Sequence, residues 1–137
     1  MEESIQIDDF ARLKLGSLGV EAVILFGSRA LGLARPTSDV DIGVILSVDY
    51  PAPATHRTIY NYLYELITNQ VSRPVSVDIV LLDQASVELQ VHTLNHGRVL
   101  FETQPQVFAR FKERVMQRVA DFAPYQQLFN QATLARI

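Results

Sequence analysis

Apolar positions recur along the chain with two periods, and the switches between them outline the fold. Ile5, Phe10, Leu13 and Leu15 predict a first helix over roughly residues 5–16, closed by the turn Gly16-Ser17-Leu18-Gly19. Ala22-Val23-Ile24-Leu25-Phe26 is an unbroken apolar run of strand length, which reads as buried. A second strand reads through Asp39-Val40-Asp41-Ile42-Gly43-Val44-Ile45-Leu46. A loop and short helix across 28–37 join the two strands, and Pro51-Ala52-Pro53 breaks the chain after the second. Ile59, Leu63, Leu66 and Ile67 then stand at helical spacing, predicting a helix over about 54–71.

Beyond the turn at Arg73-Pro74, Val75 to Leu82 reads as a third strand. Ala85 to Asn95 follows as a helix, with Ser86 near its start and Gly97 placed to end it. Val99-Leu100-Phe101 is a short strand, and a last helix runs from Gln104 to about Ala123, where Pro124 ends or kinks it. This order suits an α/β fold, a small mixed β-sheet packed against helices. No repeat, low-complexity stretch or linker interrupts it, so residues 1–137 read as a single domain with a C-terminal helical tail over about 104–137.

Composition narrows the function. With 137 residues, 48% of them hydrophobic, the chain is long enough to bury a core. A net charge of −3 argues against a broad basic face for a nucleic-acid template, yet leaves room for small nucleotides. The absence of cysteine excludes disulfides and thiolate metal sites. No apolar run approaches the roughly 20 residues of a membrane span. Met1-Glu2-Glu3-Ser4 is acidic and lacks a signal-peptide pattern, so a cytoplasmic location is expected.

The chemistry concentrates between the first two strands. Gly27 lets the chain turn sharply after Phe26, and Ser28 is placed to open a helix whose backbone N–H groups could hold a phosphate. Ten residues separate Ser28 from Asp39. Asp39 and Asp41 are two apart on a strand, so they share a face while Val40 and Ile42 point away. Adjacent carboxylates repel and are costly near a core unless a cation lies between them. Hard oxygen ligands favour magnesium, which binds through one or two carboxylates and substrate phosphates. A phosphate cradle beside a carboxylate pair is what nucleotidyl transfer requires.

Gly27-Ser28, ten residues, then Asp39-x-Asp41 resembles the signature of the nucleotidyltransferase superfamily related to DNA polymerase beta. The short chain and its ending resemble the minimal nucleotidyltransferase (MNT) family, the antitoxin partners of HEPN toxins. Asp78, inside the apolar run Val77 to Leu82, is then the third carboxylate. In the resembled family the acidic residue on this strand positions or deprotonates the attacking hydroxyl. Asp83 competes for that role, but it lies at the strand end before a helix, where an aspartate typically caps.

Two magnesium ions held by Asp39, Asp41 and Asp78 would clamp the attacking oxygen and the leaving pyrophosphate of ATP. Gly27 and Ser28 would hold the triphosphate, with Arg29 and, less well placed, Arg35 beside it to neutralise charge on the pyrophosphate. Thr37 and Ser38 would order the loop. The resemblance implies AMP transfer to a tyrosine of a cognate HEPN ribonuclease toxin in a hetero-oligomer, silencing it. Two other readings stand beside this one. One is nucleotidylation of a small alcohol, as in aminoglycoside-resistance relatives. The other is a non-catalytic module that occludes the toxin.

The remaining features have blander explanations. His92 and His96 are four apart and could share a metal, but lack a third ligand, and His96 before Gly97 suits a helix C-terminus. Tyr60, Tyr62 and Tyr64 alternate around a helix, which indicates mixed packing. Asp49 reads as a loop residue. Phe108, Phe111, Val115 and Val119 give the last helix an apolar face with Arg110, Arg114 and Arg118 striped beside it. The stripe, with the bulky residues from Phe122 to Phe129, is a candidate partner surface.

Overall fold

The computed structural model describes residues 5–32, 35, 38–47, 53–71 and 74–135; for 53–54 and 122–135 only the backbone is described. Pro36, Thr37, Asp49 and Arg73 lie outside these residues, as do the side chains of the bulky segment from Phe122 to Phe129.

The strands are β1 (Val20–Phe26), β2 (Val40–Leu46), β3 (Val77–Leu81) and β4 (Arg98–Glu102). They form one mixed sheet in the order β3-β2-β1-β4. β1 is antiparallel to β2 and β4, whereas β2 and β3 are parallel. The helices are α1 (Asp9–Ser17), α2 (Pro53–Thr68), α3 (Val87–His96) and α4 (Val107–Ala135). The β2–β3 crossover contains α2, as a parallel pair requires.

Strand alternation sends successive side chains to opposite faces, and both faces are covered. Val23 and Leu25 of β1, Val40, Ile42 and Val44 of β2 and Val77 of β3 pack with Ala11 and Leu15 of α1 and Ile59, Leu63 and Ile67 of α2. On the opposite face Ala22, Ile24 and Ile45 meet Phe111 and Val115 of α4, with Val91 and Leu94 of α3 alongside. Burial of each Val, Leu, Ile or Phe side chain among them contributes about 1.5–3 kcal/mol. The near-continuous apolar composition of β1 follows from this two-sided burial.

Local chemistry sets the element ends. The Asp8 carboxylate accepts from the Ala11 N–H at 2.8 Å and caps α1, which therefore starts later than the apolar spacing alone indicates. Ile5 and Ile7 ahead of it are buried in the core. Ser86 caps α3 by accepting from the Leu89 N–H at 3.2 Å. Gly97 does end α3, but with φ −79°. Its role there is close packing, since an added Cβ would overlap the Thr93 carbonyl and approach Ile24 Cγ2 at 2.6 Å.

Two sequence expectations are corrected. No helix forms among the described residues of 28–37; Ser28 to Gly32 is a turn, closed by a 3.4 Å hydrogen bond from Gly32 N–H to the Arg29 carbonyl. Gly27 and Gly32 both have positive φ, +74° and +72°, and left-handed residues so close together interrupt a helix. Pro124 does not end α4, which continues to Ala135. A proline removes one backbone donor from a helix, and the Gln, Ala and Leu residues beyond it favour helix.

The arginine stripe of α4 is used within the molecule. Arg118 donates to Gln90 Oε1 at 2.8 Å, and the buried Gln90 donates to the Leu82 carbonyl at 2.7 Å. Arg114 lies 3.5 Å from Asp83, and Arg110 donates to Gln106 at 3.1 Å. Tyr60 and Tyr64, one helical turn apart, stack with ring centroids 6.1 Å apart and 16° between planes, so these two form a stripe after all.

Candidate active site

The candidate residues gather at one end of the sheet because three strands bring them into a single row. Phe26 at the end of β1 is the Cα partner of Asp41 near the start of β2, and Asp41 is the Cα partner of Asp78 in β3. Val40, Ile42 and Val77 face the α1–α2 core, so alternation turns Asp41 and Asp78 to the α3–α4 face. Asp39, just before β2 and exposed, is two residues from Asp41.

Electrostatics records this crowding at the central member. Burial pushes the Asp41 carboxyl above the usual 3.8, Asp78 and then Asp39 push it further, and only His92 of α3 opposes them. A carboxylate held among others of its kind is stabilised by a cation. Among the described residues no three His, Asp or Glu side chains converge tightly enough to cage a metal by themselves. Magnesium does not require such a cage, since it retains waters and takes substrate oxygens as ligands. The donor set, oxygen-only and acidic, fits it.

Gly27 is fixed to this row from the β1 side. Its φ of +74° suits glycine, and a Cβ built there would overlap Asp41 Oδ2. The Asp41 carboxylate therefore occupies the space that any other residue at 27 would fill. Ser28 follows in the turn and is partly exposed. Its backbone N–H belongs to a turn and not to a helix N-terminus.

Arg29 does not extend away from the loop. Its Nε and a terminal guanidinium nitrogen donate to the Ser38 carbonyl at 3.2 and 2.8 Å. Ser38 also closes a turn, accepting from the Arg35 N–H through Oγ at 2.8 Å and donating its own N–H to the Arg35 carbonyl at 2.9 Å. The two ends of the loop, after Ser28 and before Asp39, are thus tied together. Arg35 is exposed.

Asp83 lies apart from the row. It follows β3 in a 3-10 turn (Leu82–Gln84), accepts from the Leu46 N–H at 3.2 Å and faces Arg114. It anchors the far end of β2 and does not cap α3, a task that falls to Ser86.

A model of the polymerase beta nucleotidyltransferase family matches residues 13–106, a span that holds the whole row. The chain belongs to that family. A search of curated proteins found no match. Among solved structures, a toxin–antitoxin with AMP-PNP has a TM-score of 0.64 and 22% identity, over 89% of this chain and 98% of that one. A MntA–HepT toxin–antitoxin has a TM-score of 0.58 and 20% identity, over 92% and 99%. A tri-AMPylated Shewanella oneidensis HEPN toxin in complex with MNT antitoxin has a TM-score of 0.58 and 21% identity, over 89% and 95%. These likenesses show that the chain shares its fold with those structures over nearly its full length. Among the described residues no helix is long and apolar enough to cross a membrane.

His92 is the residue at this site that sequence reasoning placed elsewhere. It stands edge-on to Phe26, with centroids 6.3 Å apart and 84° between planes. His96 lies beside it at 5.1 Å. The histidine spacing marks the pair, but only the packing of α3 on β1 shows that His92 meets Phe26, the Cα partner of Asp41.

Proposed function

We propose that this chain is the antitoxin of a HEPN/MNT toxin–antitoxin pair and an adenylyltransferase that moves AMP from ATP to a tyrosine hydroxyl of its cognate HEPN ribonuclease toxin. The observation that carries the reading is the row of Asp41 and Asp78, flanked by Asp39 and directly against Gly27. Three acidic groups beside a glycine turn suit phosphoryl chemistry, in which positioning and charge neutralisation supply most of the catalysis. The choice of acceptor is supported by the fold's likeness to a toxin–antitoxin with AMP-PNP and to a tri-AMPylated HEPN toxin in complex with MNT antitoxin.

Asp39 and Asp41 would hold magnesium on the triphosphate, and Asp78 would share a second ion at the acceptor. When bound, the metal lowers the charge on the phosphates and on the attacking oxygen. The Gly27–Ser28 turn would hold the triphosphate by close backbone approach and by the Ser28 hydroxyl. Asp78 would take the phenolic proton as the tyrosine oxygen bonds to the α phosphorus. The bond from that phosphorus to the bridging oxygen breaks, and pyrophosphate leaves. The product pair is a hetero-oligomer of antitoxin and modified toxin.

Intact-mass measurement of the partner after incubation with this protein, ATP and magnesium tests the reading. The expected result is a gain in multiples of AMP on tyrosine, lost with Asp39→Asn and Asp41→Asn together. A tight complex with unchanged mass would instead support occlusion without catalysis. A small-alcohol acceptor becomes the better reading if neither complex nor mass gain is found.

A further inference from the structure

The turn after β1 would supply one wall of a triphosphate site, and α3 packs on β1, the strand that leads into that turn. His92 is an exposed residue of α3 whose ring meets the edge of Phe26 at 6.3 Å. Phe26 immediately precedes Gly27 and Ser28, and it is the Cα partner of Asp41. The imidazole thus meets β1 at the residue that leads into the Gly27–Ser28 turn, on the strand that begins the row. Edge-on packing against Phe26 fixes the ring plane. His96, tilted 58° and 5.1 Å away, backs it one turn further along α3.

We propose that His92 is a nucleotide-binding residue whose imidazole N–H donates to the β or γ phosphate of ATP, so that α3 forms the wall opposite the Gly27–Ser28 turn. The proposal rests on the nucleotidyl-transfer reading and deepens it. The chemistry is that of a further hydrogen-bond donor beside an anion that lies close to a row of carboxylates. Arg29, the basic residue nearest in sequence, grips the Ser38 carbonyl. An N–H from this side would hold the leaving pyrophosphate while leaving the β3 side open to the acceptor.

Binding of ATP and of AMP to the full chain, each with magnesium, tests this by calorimetry. His92→Phe keeps an aromatic edge on Phe26 and removes the donor; His92→Gln keeps a donor of similar reach. The expected result is about tenfold weaker ATP binding for His92→Phe, as for loss of one hydrogen bond to a charged group. His92→Gln should recover part of it, and AMP, which has no β or γ phosphate, should bind as to the wild type. His92→Ala is read the same way if the larger ring disturbs the fold, which thermal unfolding reports. Equal weakening of ATP and AMP would assign His92 to packing and overturn the proposal. Unchanged ATP affinity, with binding still lost in Asp41→Asn, overturns the His92 assignment alone. Wild-type protein that binds no ATP overturns both this and the transfer reading.

Discussion

Asp41 and Asp78 are Cα partners across the parallel β2–β3 pair, so two carboxylates leave the same face of the sheet from neighbouring strands. With Asp39 two residues away, the row stores like-charge repulsion that a bound cation relieves. On the proposed reading, function and stability are opposed at this point, because an arrangement that suits a metal disfavours the metal-free fold.

The sign of that opposition can be worked out at Asp41. Its folded-state pKa lies above the usual 3.8, through burial first and then Asp78 and Asp39, so the folded chain binds this proton more tightly than the unfolded one. The favourable contribution is present in acid and is lost as pH rises through the raised pKa. At pH 7 the ionised group opposes folding. Asp41→Asn is therefore expected to melt at the same or a higher temperature than wild type at pH 7, a gain that shrinks as pH falls toward 3.8. Added magnesium should raise the wild-type melting temperature and not that of the variant. Transfer activity should fall on the order of a hundredfold or more. A variant that melts well below wild type at pH 7 would contradict the argument.

Gly27 and Gly32 separate backbone strain from displacement of the carboxylate. Both have positive φ, but a Cβ on Gly27 overlaps Asp41 Oδ2, whereas a Cβ on Gly32 meets nothing within 4 Å. Gly32→Ala should cost about 1–2 kcal/mol in urea unfolding, the backbone penalty alone. Gly27→Ala carries that penalty and also moves Asp41, so it should lose most magnesium-dependent activity as well. Comparable activity in the two variants would show that Asp41 adjusts freely.

What the sequence made legible was whatever depends on alternation or on local spacing. Asp39, Asp41 and the buried Val40 and Ile42 fall on their faces because a strand has a period of two, and α2 follows from its apolar spacing. The pairing of Asp41 with Asp78 depends on β2–β3 register, which is set by packing over the intervening α2 and cannot be read locally. The helix expected after Ser28 gives way to a turn because Gly32, a second left-handed glycine, follows Gly27 within five residues. His92 was hidden for a similar reason, since the face of α3 that meets β1 is a tertiary property.

Asp83 and Asp78 should separate cleanly. Asp83 satisfies the backbone N–H of Leu46 and faces Arg114, with side chains 37% and 52% exposed, so the ion pair itself adds little. Asp83→Ala leaves that N–H without its partner and should lower stability by about 1–2 kcal/mol while retaining most of the transfer rate. Asp78→Asn should do the reverse, with unfolding little changed and turnover nearly abolished. Parallel urea melts and initial rates on both variants check the pair, and a dead but stable Asp83→Ala would exchange their roles.

Arg29 allows a kinetic distinction between two duties. Sequence position beside Ser28 suggests a triphosphate contact, but two of its guanidinium nitrogens hold the Ser38 carbonyl, the peptide that leads into Asp39. A residue that fixes the loop controls where Asp39 sits, and misplacement of a reacting group by about 1 Å can cost up to a hundredfold in rate. Arg29→Ala is therefore expected to lower kcat by about ten- to a hundredfold with KM for ATP changed much less. Arg29→Lys should restore little, because an ammonium group lacks the guanidinium fork that grips one carbonyl from two nitrogens. A large rise in KM for ATP with kcat preserved would instead give Arg29 to the phosphates and leave the loop to hold itself through Ser38 and Arg35.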